Sequence, residues 1–517
     1  MDGADAAHAA ARMVRRPPPS VHFCNNLRRY VQTPTNDLLY WGLDYPPLTA
    51  YHSRLCAQLL HLFAPESVAL FTSRGHESVS SKILMRLTVV ITDALVLFPA
   101  ALLSSRLLWA DTSAWAVFAS TASLLLNPAL IVIDHGHFQY NGVMAAFAVL
   151  SVAFLYKAHV GRAAAAAAAA VLFKQMALLL APYWLAAGLS LVVHALRSQG
   201  RAAALRVVMR AAAGAGAVLV PALAPFYATG TLSDVFTRVF PVTRGLYEDK
   251  VATVWCALSP VFKLQVRPAF STLFAQKPPP PPPSLTFTQV MIPDKSAQAI
   301  ICAACALIAA APALISFSRS RCAPQHAVRN AFAAVAAAFL FGYQMHEKTV
   351  LLPLVILSLA YPLHPTSVLC VTITSMLSMF DLIRRDGHAS TYAVALFLLI
   401  IAASCTLPAR ASHRAALAAT VCAVLLLHAV QQLRPPPAKY PWLYPYLASL
   451  MSCLRQGCAA QPAAPALLLT RCTSAPAHPL HQRSCSLARS LSWSVLDAHW
   501  RALRAASAAA TGKQKLA

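Results

Sequence analysis

The stretch AWAVFASTASLLLNPALIVIDHGHFQYNG, residues 114–142, indicates the fold class. Its first twenty residues carry no charge, and a helix of about 20 apolar residues crosses the hydrocarbon core of a bilayer. Polar side chains follow from Asp134 to Asn141, and a second apolar run starts at Val143. The whole chain is 58% hydrophobic and 11% charged, whereas soluble domains carry about 25% charged residues. The sequence therefore predicts a multi-pass membrane protein.

Apolar segments of this kind recur along the chain and predict an all-α, polytopic transmembrane bundle with roughly 10–13 spans. The range arises because segment 163–174 is short and segment 441–455 is weakly apolar. The predicted segments are 84–104, 114–133, 142–158, 163–174, 177–195, 210–228, 297–317, 328–344, 349–364, 366–383, 390–408, 415–433 and 441–455.

The predicted domain organisation follows from these segments. A transmembrane domain contains a long loop in which six prolines form a stiff spacer. The predicted boundaries are an atypical N-terminus at 1–36, a loop with LDYPP at 37–82, the transmembrane domain at 83–455 with its loop at 229–296 and prolines at 278–283, and a basic tail of low order at 456–517.

The net charge of +25 comes from 42 Lys and Arg against 17 Asp and Glu. In a soluble protein this charge suggests nucleic acid, but short basic loops are typical of the cytoplasmic side of membrane proteins. We therefore predict no nucleic-acid partner and a cytoplasmic set of loops in which Asp111 is the one acid. Its basic residues are Arg106, Lys157, Arg162, Arg197, Arg201, Arg206, Arg210, Arg319, Arg321, Arg329, Arg410 and Arg414.

The polar clusters lie in the alternate loops, so we predict that they face the opposite side and share one site. The densest is DHGHFQYN, 134–141, whose side chains can donate and accept many hydrogen bonds. A helix cap and an interfacial tyrosine would explain two or three of these side chains, which favours binding for the group. The candidates here are Asp134, His135, His137, Gln139, Tyr140 and Asn141.

Asp44 stands between Trp41 and Tyr45 on a turn that two prolines make rigid. A carboxylate flanked by aromatic rings suits a sugar, although an interfacial loop with an Asx-type turn would have the same residues. Lys174 in FKQM would cost roughly 2.5–3.5 kcal/mol at the centre of a membrane helix. We expect it to extend to the interface or to pair with an anion.

The segments RVFPVTRGLYEDK, 238–250, and QMHEK, 344–348, hold further charges. Arginine forks match phosphate oxygens, so phosphate binding is one interpretation, and solvated loops with internal ion pairs are the other. HEK is not HEXXH and no other metal-ligand spacing occurs, so we predict no metal. We also expect Asp93 to pair with Arg86. The candidates are Arg238, Arg244, Glu248, Asp249, Lys250, His346, Glu347 and Lys348.

Six motifs, taken together, resemble a known family. In chain order they are YWGLDYPPLTAYHS, SRGHES, DHGHFQYN, FKQM, FPVTRGLYEDKVATVWC and QMHEK. They look like the endoplasmic-reticulum glucosyltransferases of N-glycan precursor assembly, which are multispanning transferases of the GT-C class. The resemblance runs from about Asp37 to about Cys453.

The resemblance implies a multi-pass protein of the endoplasmic-reticulum membrane. It implies transfer of glucose from dolichyl phosphate glucose to Man(9)GlcNAc(2) on dolichyl pyrophosphate, in an inverting α-1,3 linkage. The reaction is a single displacement with an oxocarbenium-like transition state. The implied partners are the membrane and the two lipid-linked substrates, with no cofactor and no obligate protein partner.

This chain departs from the family pattern at one point. Its base is an aspartate of the first lumenal loop, in G-D-x-E-A-Q-R-H-W after an opening transmembrane helix, and residues 1–39 hold neither feature. The general base is therefore unassigned, and Asp44 is the candidate. We expect the 517-residue chain to be inactive and the native transcript to encode an upstream helix and an acidic loop.

The motifs leave other functions open. Two sister enzymes share HFQYN and HEK, and YWGLDYPPLTAYHS and RGLYEDKVATVWC resemble the enzyme that adds the first glucose more closely than the one that adds the second. An inactive relative or an incomplete gene product would keep the same motifs. A transporter would place ionisable residues near the bilayer midplane between repeated halves. The clusters lie instead at helix ends and no repeat is visible, which favours a transferase.

Overall fold

A computed structural model of the chain describes residues 30–33, 36, 38, 43–69, 73, 76–240, 245–247, 250–260, 262–266, 288–292, 294–319, 324–407, 410–438 and 440–460. Several predicted features lie outside these residues. They are the N-terminal segment up to residue 29, Trp41, Arg244, Glu248, Asp249, the prolines at 278–283 and the tail from residue 461.

Helices form nearly all of the described chain. Those before residue 229 are α1 (Pro47–Phe63), α2 (Val79–Trp109), α3 (Ala114–Phe138), α4 (Asn141–Tyr156), α5 (Val160–Phe173), α6 (Gln175–Gln199) and α7 (Arg201–Ala228). The later helices are α8 (Leu232–Val239), α9 (Val254–Leu258), α10 (Lys295–Arg319), α11 (Pro324–Leu340), α12 (Leu351–Ser358), α13 (Pro365–Ser378), α14 (Phe380–Arg385), α15 (Ala389–Thr406), α16 (Ala411–Leu433) and α17 (Leu443–Ala460). Short 3₁₀ turns cover Pro65–Val68 and Glu347–Val350.

Every predicted apolar segment is helical in the structure, which confirms the all-α polytopic fold class. Within the described residues, seven helices are long and apolar enough to cross a membrane. They are α2, α3, α6, α7, α10, α15 and α16. Four further apolar helices, α4, α5, α11 and α13, are shorter. The predicted segment 349–364 contains only the end of a 3₁₀ turn and α12, and α17 continues to Ala460, beyond the boundary expected at 455.

One small sheet departs from the all-α expectation. Strands β1 (Phe262–Val266) and β2 (Thr288–Ile292) pair in parallel inside the predicted loop 229–296, with Phe262 opposite Thr288. Each strand has five residues, and their pairing joins segments distant in sequence. Local apolar patterning does not report such pairing, so these strands could not be predicted from the sequence.

The inner and outer helices differ in burial. Most residues of α4 and nearly all residues of α12 and α13 are buried, so other helices surround these three on most sides. The longer helices α7, α10, α15 and α16 expose large apolar side chains, as expected where helices contact lipid. Examples are Val220, Ile308, Phe397 and Leu426. The short helices therefore form the core of the bundle, and the long ones surround it.

Helices α5 and α7 pack through two glycines. A Cβ atom at Gly214 would collide with the backbone of Gly161, and a Cβ at Gly161 would lie 3.1 Å from the carbonyl oxygen of Arg210. Small residues let membrane helices approach closely, and dispersion contacts then hold them together. Because the opposing atoms belong to the backbone, no side-chain rotation can make room for a methyl group.

Replacing Gly214 with alanine is expected to destabilise the protein by about 1–3 kcal/mol, the usual range for overpacking. The matched control is Gly216→Ala on the same helix, because nothing lies within 4 Å of a Cβ at Gly216. The thermal midpoint of the purified protein in detergent measures both effects. Equal midpoints for the two variants would contradict the packing described here.

Candidate functional site

The polar motifs meet at one end of the bundle, where α3 ends and α4 begins. The last residues of α3, Val132–Phe138, form a widened π-helical turn, and Phe138 then adopts φ 71°. Gln344, just before HEK, also has a positive φ, 56°. Non-glycine residues in this left-handed region are strained, and such strain clusters at functional sites. These two residues lie in motifs that the sequence singled out, whereas a third, Ala158 with φ 57°, lies in the basic loop between α4 and α5.

Asp134 is the centre of a fully buried hydrogen-bond network. Its two carboxylate oxygens accept hydrogen bonds from the side-chain amide of Asn141 and the backbone N–H of Gly142, both at 2.6 Å. The Lys174 ammonium donates to Asn141 Oδ1 at 2.6 Å and to Gln139 Oε1 at 2.8 Å. The Asn141 amide thus bridges a buried carboxylate and a buried ammonium. Lys174 neither extends to the interface nor lies unpaired.

His135 pairs with Asp93, since its Nε2 lies 2.9 Å from Asp93 Oδ2. Arg86 instead donates to the backbone carbonyls of His135 and Gly136, at 2.8 and 3.0 Å. The expected Arg86–Asp93 pair is therefore wrong. The π-helical turn leaves carbonyls without a regular helical donor, and the guanidinium reaches them from α2. Both residues hold the turn in place.

His137 joins two distant segments. Lys348 Nζ donates to His137 Nε2 at 3.0 Å, and the opposite ring nitrogen, Nδ1, donates to Asp386 Oδ2 at 2.6 Å. The His137 side chain is only 3% exposed, whereas its two partners, Asp386 at 26% and Lys348, are partly exposed. The sequence prediction that DHGHFQYN and HEK lie at the same end of the bundle is confirmed by this contact.

Two contacts hold the HEK segment in place, one at the N-terminus of its own 3₁₀ turn and one with Arg385. His346 Nδ1 accepts the backbone N–H of Lys348, 3.3 Å away, at the N-terminus of the 3₁₀ turn. Burial, with the nearby charge of Lys348, lowers the pKa of His346 to about 3, so its ring is neutral near pH 7. Glu347 is buried and lies 3.8 Å from Arg385. Lys348, and not His346, thus carries the positive charge at this point of the segment.

Asp44 precedes α1 on a turn that is held from several sides. The Tyr30 hydroxyl donates to the carbonyl of Tyr45 at 2.7 Å, and the Arg238 guanidinium donates to that of Leu43 at 3.4 Å. Lys174 lies 5.6 Å from the centre of the Tyr45 ring, within cation–π range. Asp44 is half-exposed and close enough to act on the charge of Lys174.

Tyr140 and His52 connect α1 to this network. The Tyr140 hydroxyl lies 2.7 Å from the hydroxyl of Thr88, and its ring packs edge-on against His52 at 4.5 Å. The Thr49 hydroxyl donates to the carbonyl of Phe173, next to Lys174. These contacts seat the start of α1 against the cluster.

Two predicted phosphate ligands have other contacts. Arg238 also donates to the carbonyl of Leu38 at 3.3 Å, so its guanidinium holds backbone. Lys250 Nζ lies 4.3 Å from the centre of the Trp442 ring, near the start of α17. Their assignment to phosphate thus receives no support from geometry.

Sequence reasoning missed Asp386, Arg385 and Asp93 as members of the cluster. The sequence indicated whether each of these residues lies in a loop or a helix. It did not indicate that the fold brings Asp386 into contact with His137, which is 249 positions away in the chain. One signal existed, because Arg384–Asp386 lies in the same alternating set of loops as the other clusters. Among the residues that the structure describes, no group of three or more His, Cys, Asp or Glu could hold a metal ion.

Chemically, the cluster offers a partly exposed ammonium, a neutral imidazole and a half-exposed carboxylate beside an aromatic ring. An ammonium can neutralise a phosphate, and a carboxylate can accept a proton from a hydroxyl. The arrangement therefore fits a group transfer that releases a phosphate and consumes an alcohol.

The comparisons with known proteins all indicate the same glycosyltransferase family. The model of the ALG6, ALG8 glycosyltransferase family matches residues 27–460. A "Dolichyl pyrophosphate Man9GlcNAc2 alpha-1,3-glucosyltransferase" of Gallus gallus is 34% identical over 71% of this chain and 66% of its own length. The protein of the same name from Saccharomyces cerevisiae is 32% identical over 70% and 63%. A "Probable dolichyl pyrophosphate Man9GlcNAc2 alpha-1,3-glucosyltransferase" of Drosophila melanogaster is 34% identical over 82% and 84%. The chain thus spans about two thirds of the length of the chicken and yeast relatives.

Proposed function

Because the chain belongs to the ALG6, ALG8 glycosyltransferase family, we propose that it transfers glucose to the lipid-linked oligosaccharide Man(9)GlcNAc(2)-pyrophosphate-dolichol in an α-1,3 linkage, a step of protein N-glycosylation. The proposed donor is dolichyl phosphate glucose, the outcome is inversion, and the location is the endoplasmic-reticulum membrane. The contact of Lys348 with His137 is the observation that carries the proposal, because it places an oriented ammonium in the polar cluster at the bundle end.

Lys348 is the proposed ligand of the leaving phosphate. The departing dolichyl phosphate gains negative charge as the glycosidic bond breaks, and a fixed cation stabilises that charge most where water is excluded. Lys348 is partly exposed and is aimed by His137, which Asp386 orients in turn. Lys174 is buried and already donates to Gln139 and Asn141, so its proposed role is to hold the site together.

Asp44 is the proposed carboxylate for the acceptor among the described acids. Asp134 has no exposed surface and accepts two short hydrogen bonds, so it cannot reach an acceptor hydroxyl. Glu347 is 6% exposed and lies near Arg385. Asp44 is half-exposed on a turn that the surrounding side chains hold rigid.

Reconstitution tests the proposed reaction. Because the 517-residue chain is expected to be inactive, the purified protein would also carry the expected upstream helix and acidic loop. It would receive dolichyl phosphate glucose with either Man(9)GlcNAc(2) or Glc(1)Man(9)GlcNAc(2) on a pyrophosphate lipid. We expect one hexose to be added to the first acceptor, with inverted configuration by NMR. Addition to the second acceptor alone would assign the chain to second-glucose transfer, and use of a nucleotide sugar as donor would overturn the proposed donor.

Replacing Asp44 with asparagine is expected to lower turnover at least about tenfold, because one hydrogen bond to a charged group is lost. A loss of about 10²–10⁴-fold would mark Asp44 as the general base, since that is the usual contribution of such a group. The measurement is the initial rate of glucosyl transfer in proteoliposomes, by the protein that carries the expected upstream helix and acidic loop. Unchanged transfer by a correctly inserted variant would exclude Asp44 from the site.

Expression in cells that lack the first-glucose enzyme examines the expectation that the 517-residue chain is inactive. The lipid-linked oligosaccharide of those cells is the readout. A glucosylated nine-mannose lipid would show that expectation to be wrong, and it would make Asp44 the first candidate for the base.

A further inference from the structure

A cavity lies at the other end of the bundle from the cluster around Asp134 and His137. Its volume is about 290 Å³, and it is formed by the first turns of α13 and α16 and the last turns of α17. Helix α12 leads from HEK to this end, and α13 leads back towards Asp386. The cavity thus lies on the side where the basic loops predict the cytoplasm.

The lining is suited to an anion. Arg455 and His413 contribute nitrogen donors, and Thr366, Ser367 and Ser412 contribute hydroxyl groups. No acidic side chain of the described residues lines the cavity. Arginine presents several N–H donors in a planar fork that matches phosphate oxygens. The chemistry of the wall therefore selects for negative charge.

Two helix N-termini add to this selectivity. Thr366 and Ser367 lie in the first turn of α13, and Ser412 and His413 lie in that of α16. Neither helix has a side chain that caps its N-terminus. The first N–H groups of a helix carry partial positive charge and attract anions. A hydrogen bond of 2.6 Å between Thr366 and His413 holds the two helix starts together.

The size of the cavity limits its occupant. Small-molecule sites usually have volumes of about 300–1,000 Å³, so this cavity, at about 290 Å³, is slightly smaller than that range. It suits a phosphate group with a small substituent. The half-buried Arg455 and the exposed Ser412 leave one side of the cavity open to the surroundings.

We propose that this cavity binds a phosphate group, carried either by a lipid headgroup or by a free phosphate, through Arg455, His413 and the starts of α13 and α16. The site is separate from the proposed transferase site and does not depend on that function. A bound phosphate group would contact α13, α16 and α17 at once and would therefore stabilise the folded protein.

The test uses the full chain in nanodiscs of phosphatidylcholine and measures the thermal midpoint. One arm adds phosphatidic acid to the nanodiscs, and the other adds inorganic phosphate in solution. For Arg455→Gln we expect half-saturation to need about tenfold more ligand, since a hydrogen bond to a charged group is worth about that factor. His413→Gln provides a second variant should Arg455→Gln fold poorly. Arg197→Gln, an exposed arginine outside the cavity at the end of α6, is the matched control.

Each outcome of this test either supports or overturns the proposal that the cavity binds phosphate. Stabilisation by phosphatidic acid alone supports a lipid headgroup, and stabilisation by inorganic phosphate supports a free phosphate. The proposal is overturned if neither ligand raises the midpoint. It is equally overturned if the cavity variants respond as Arg197→Gln does.

Discussion

Replacing Lys348 with methionine is expected to lower kcat about 10²–10³-fold, the usual loss when one donor to developing negative charge is removed. Methionine keeps most of the side-chain volume, so the fold should tolerate the change. The ammonium is 3.0 Å from His137 Nε2 and partly exposed, which places it where a phosphate can approach. Initial rates with dolichyl phosphate glucose, in reconstituted protein, measure the effect.

Lys82→Met is the matched control for this experiment. Lys82 pairs with Glu77 at 2.8 Å, but both side chains are largely exposed, so that ion pair should contribute little. Lys348→Arg keeps the charge and should retain more activity than Lys348→Met. The role of Lys348 would be refuted if methionine at this position left kcat unchanged, or if only the amount of folded protein fell.

Replacing Asp134 with alanine should destabilise the protein by about 3–5 kcal/mol, the range observed when one partner of a buried charged pair is removed. The change leaves the backbone N–H of Gly142 without its acceptor and removes the shorter of the two hydrogen bonds that the Asn141 amide donates. It also removes the stronger of the two negative charges that act on the buried ammonium of Lys174. We expect the variant to accumulate poorly and to melt at a lower temperature. Yield and thermal midpoint in detergent are the measurements.

The double variant Asp134→Ala/Lys174→Met separates charge from packing. Once the ammonium is also removed, part of the lost stability should return, because no uncompensated charge remains. Asp111→Ala is the control, since Asp111 pairs with Lys157 at 3.1 Å and is 85% exposed, and the expected change is below about 1 kcal/mol. If the double variant is less stable than Asp134→Ala alone, the electrostatic explanation fails.

The helices could be predicted because membrane spans are encoded locally, in runs of apolar residues. The grouping of DHGHFQYN, FKQM and HEK at one end followed from the alternation of basic and polar loops. The pairings within the cluster could not be predicted. Asp93 lay two turns from Arg86, but the π-helical turn at Val132–Phe138 redirects both residues towards His135. Its occurrence depends on tertiary packing, which no local pattern reports.

The roles of the charged residues were also harder to predict than the end of the bundle at which they lie. Arg238 and Lys174 looked equally suited to phosphate, yet one holds backbone carbonyls and the other is buried among amides. The difference arises from burial and from neighbours far away in the chain. Asp386 was passed over because its significance depends entirely on His137.

The short inner helices have a consequence for where the reacting groups lie in depth. Helix α4 has 16 residues and α5 has 14, so they are about 24 and 21 Å long, against about 30 Å of hydrocarbon. The exposed pair of Asp111 and Lys157 fixes their far end at the water surface. The helices are therefore about 6–9 Å shorter than the hydrocarbon layer, and this difference lies at the end that holds Asp134 and Lys174. We infer that the cluster lies below the membrane surface by about this length, and that a thicker bilayer would place it deeper and lengthen the path of any phosphate headgroup that reaches it.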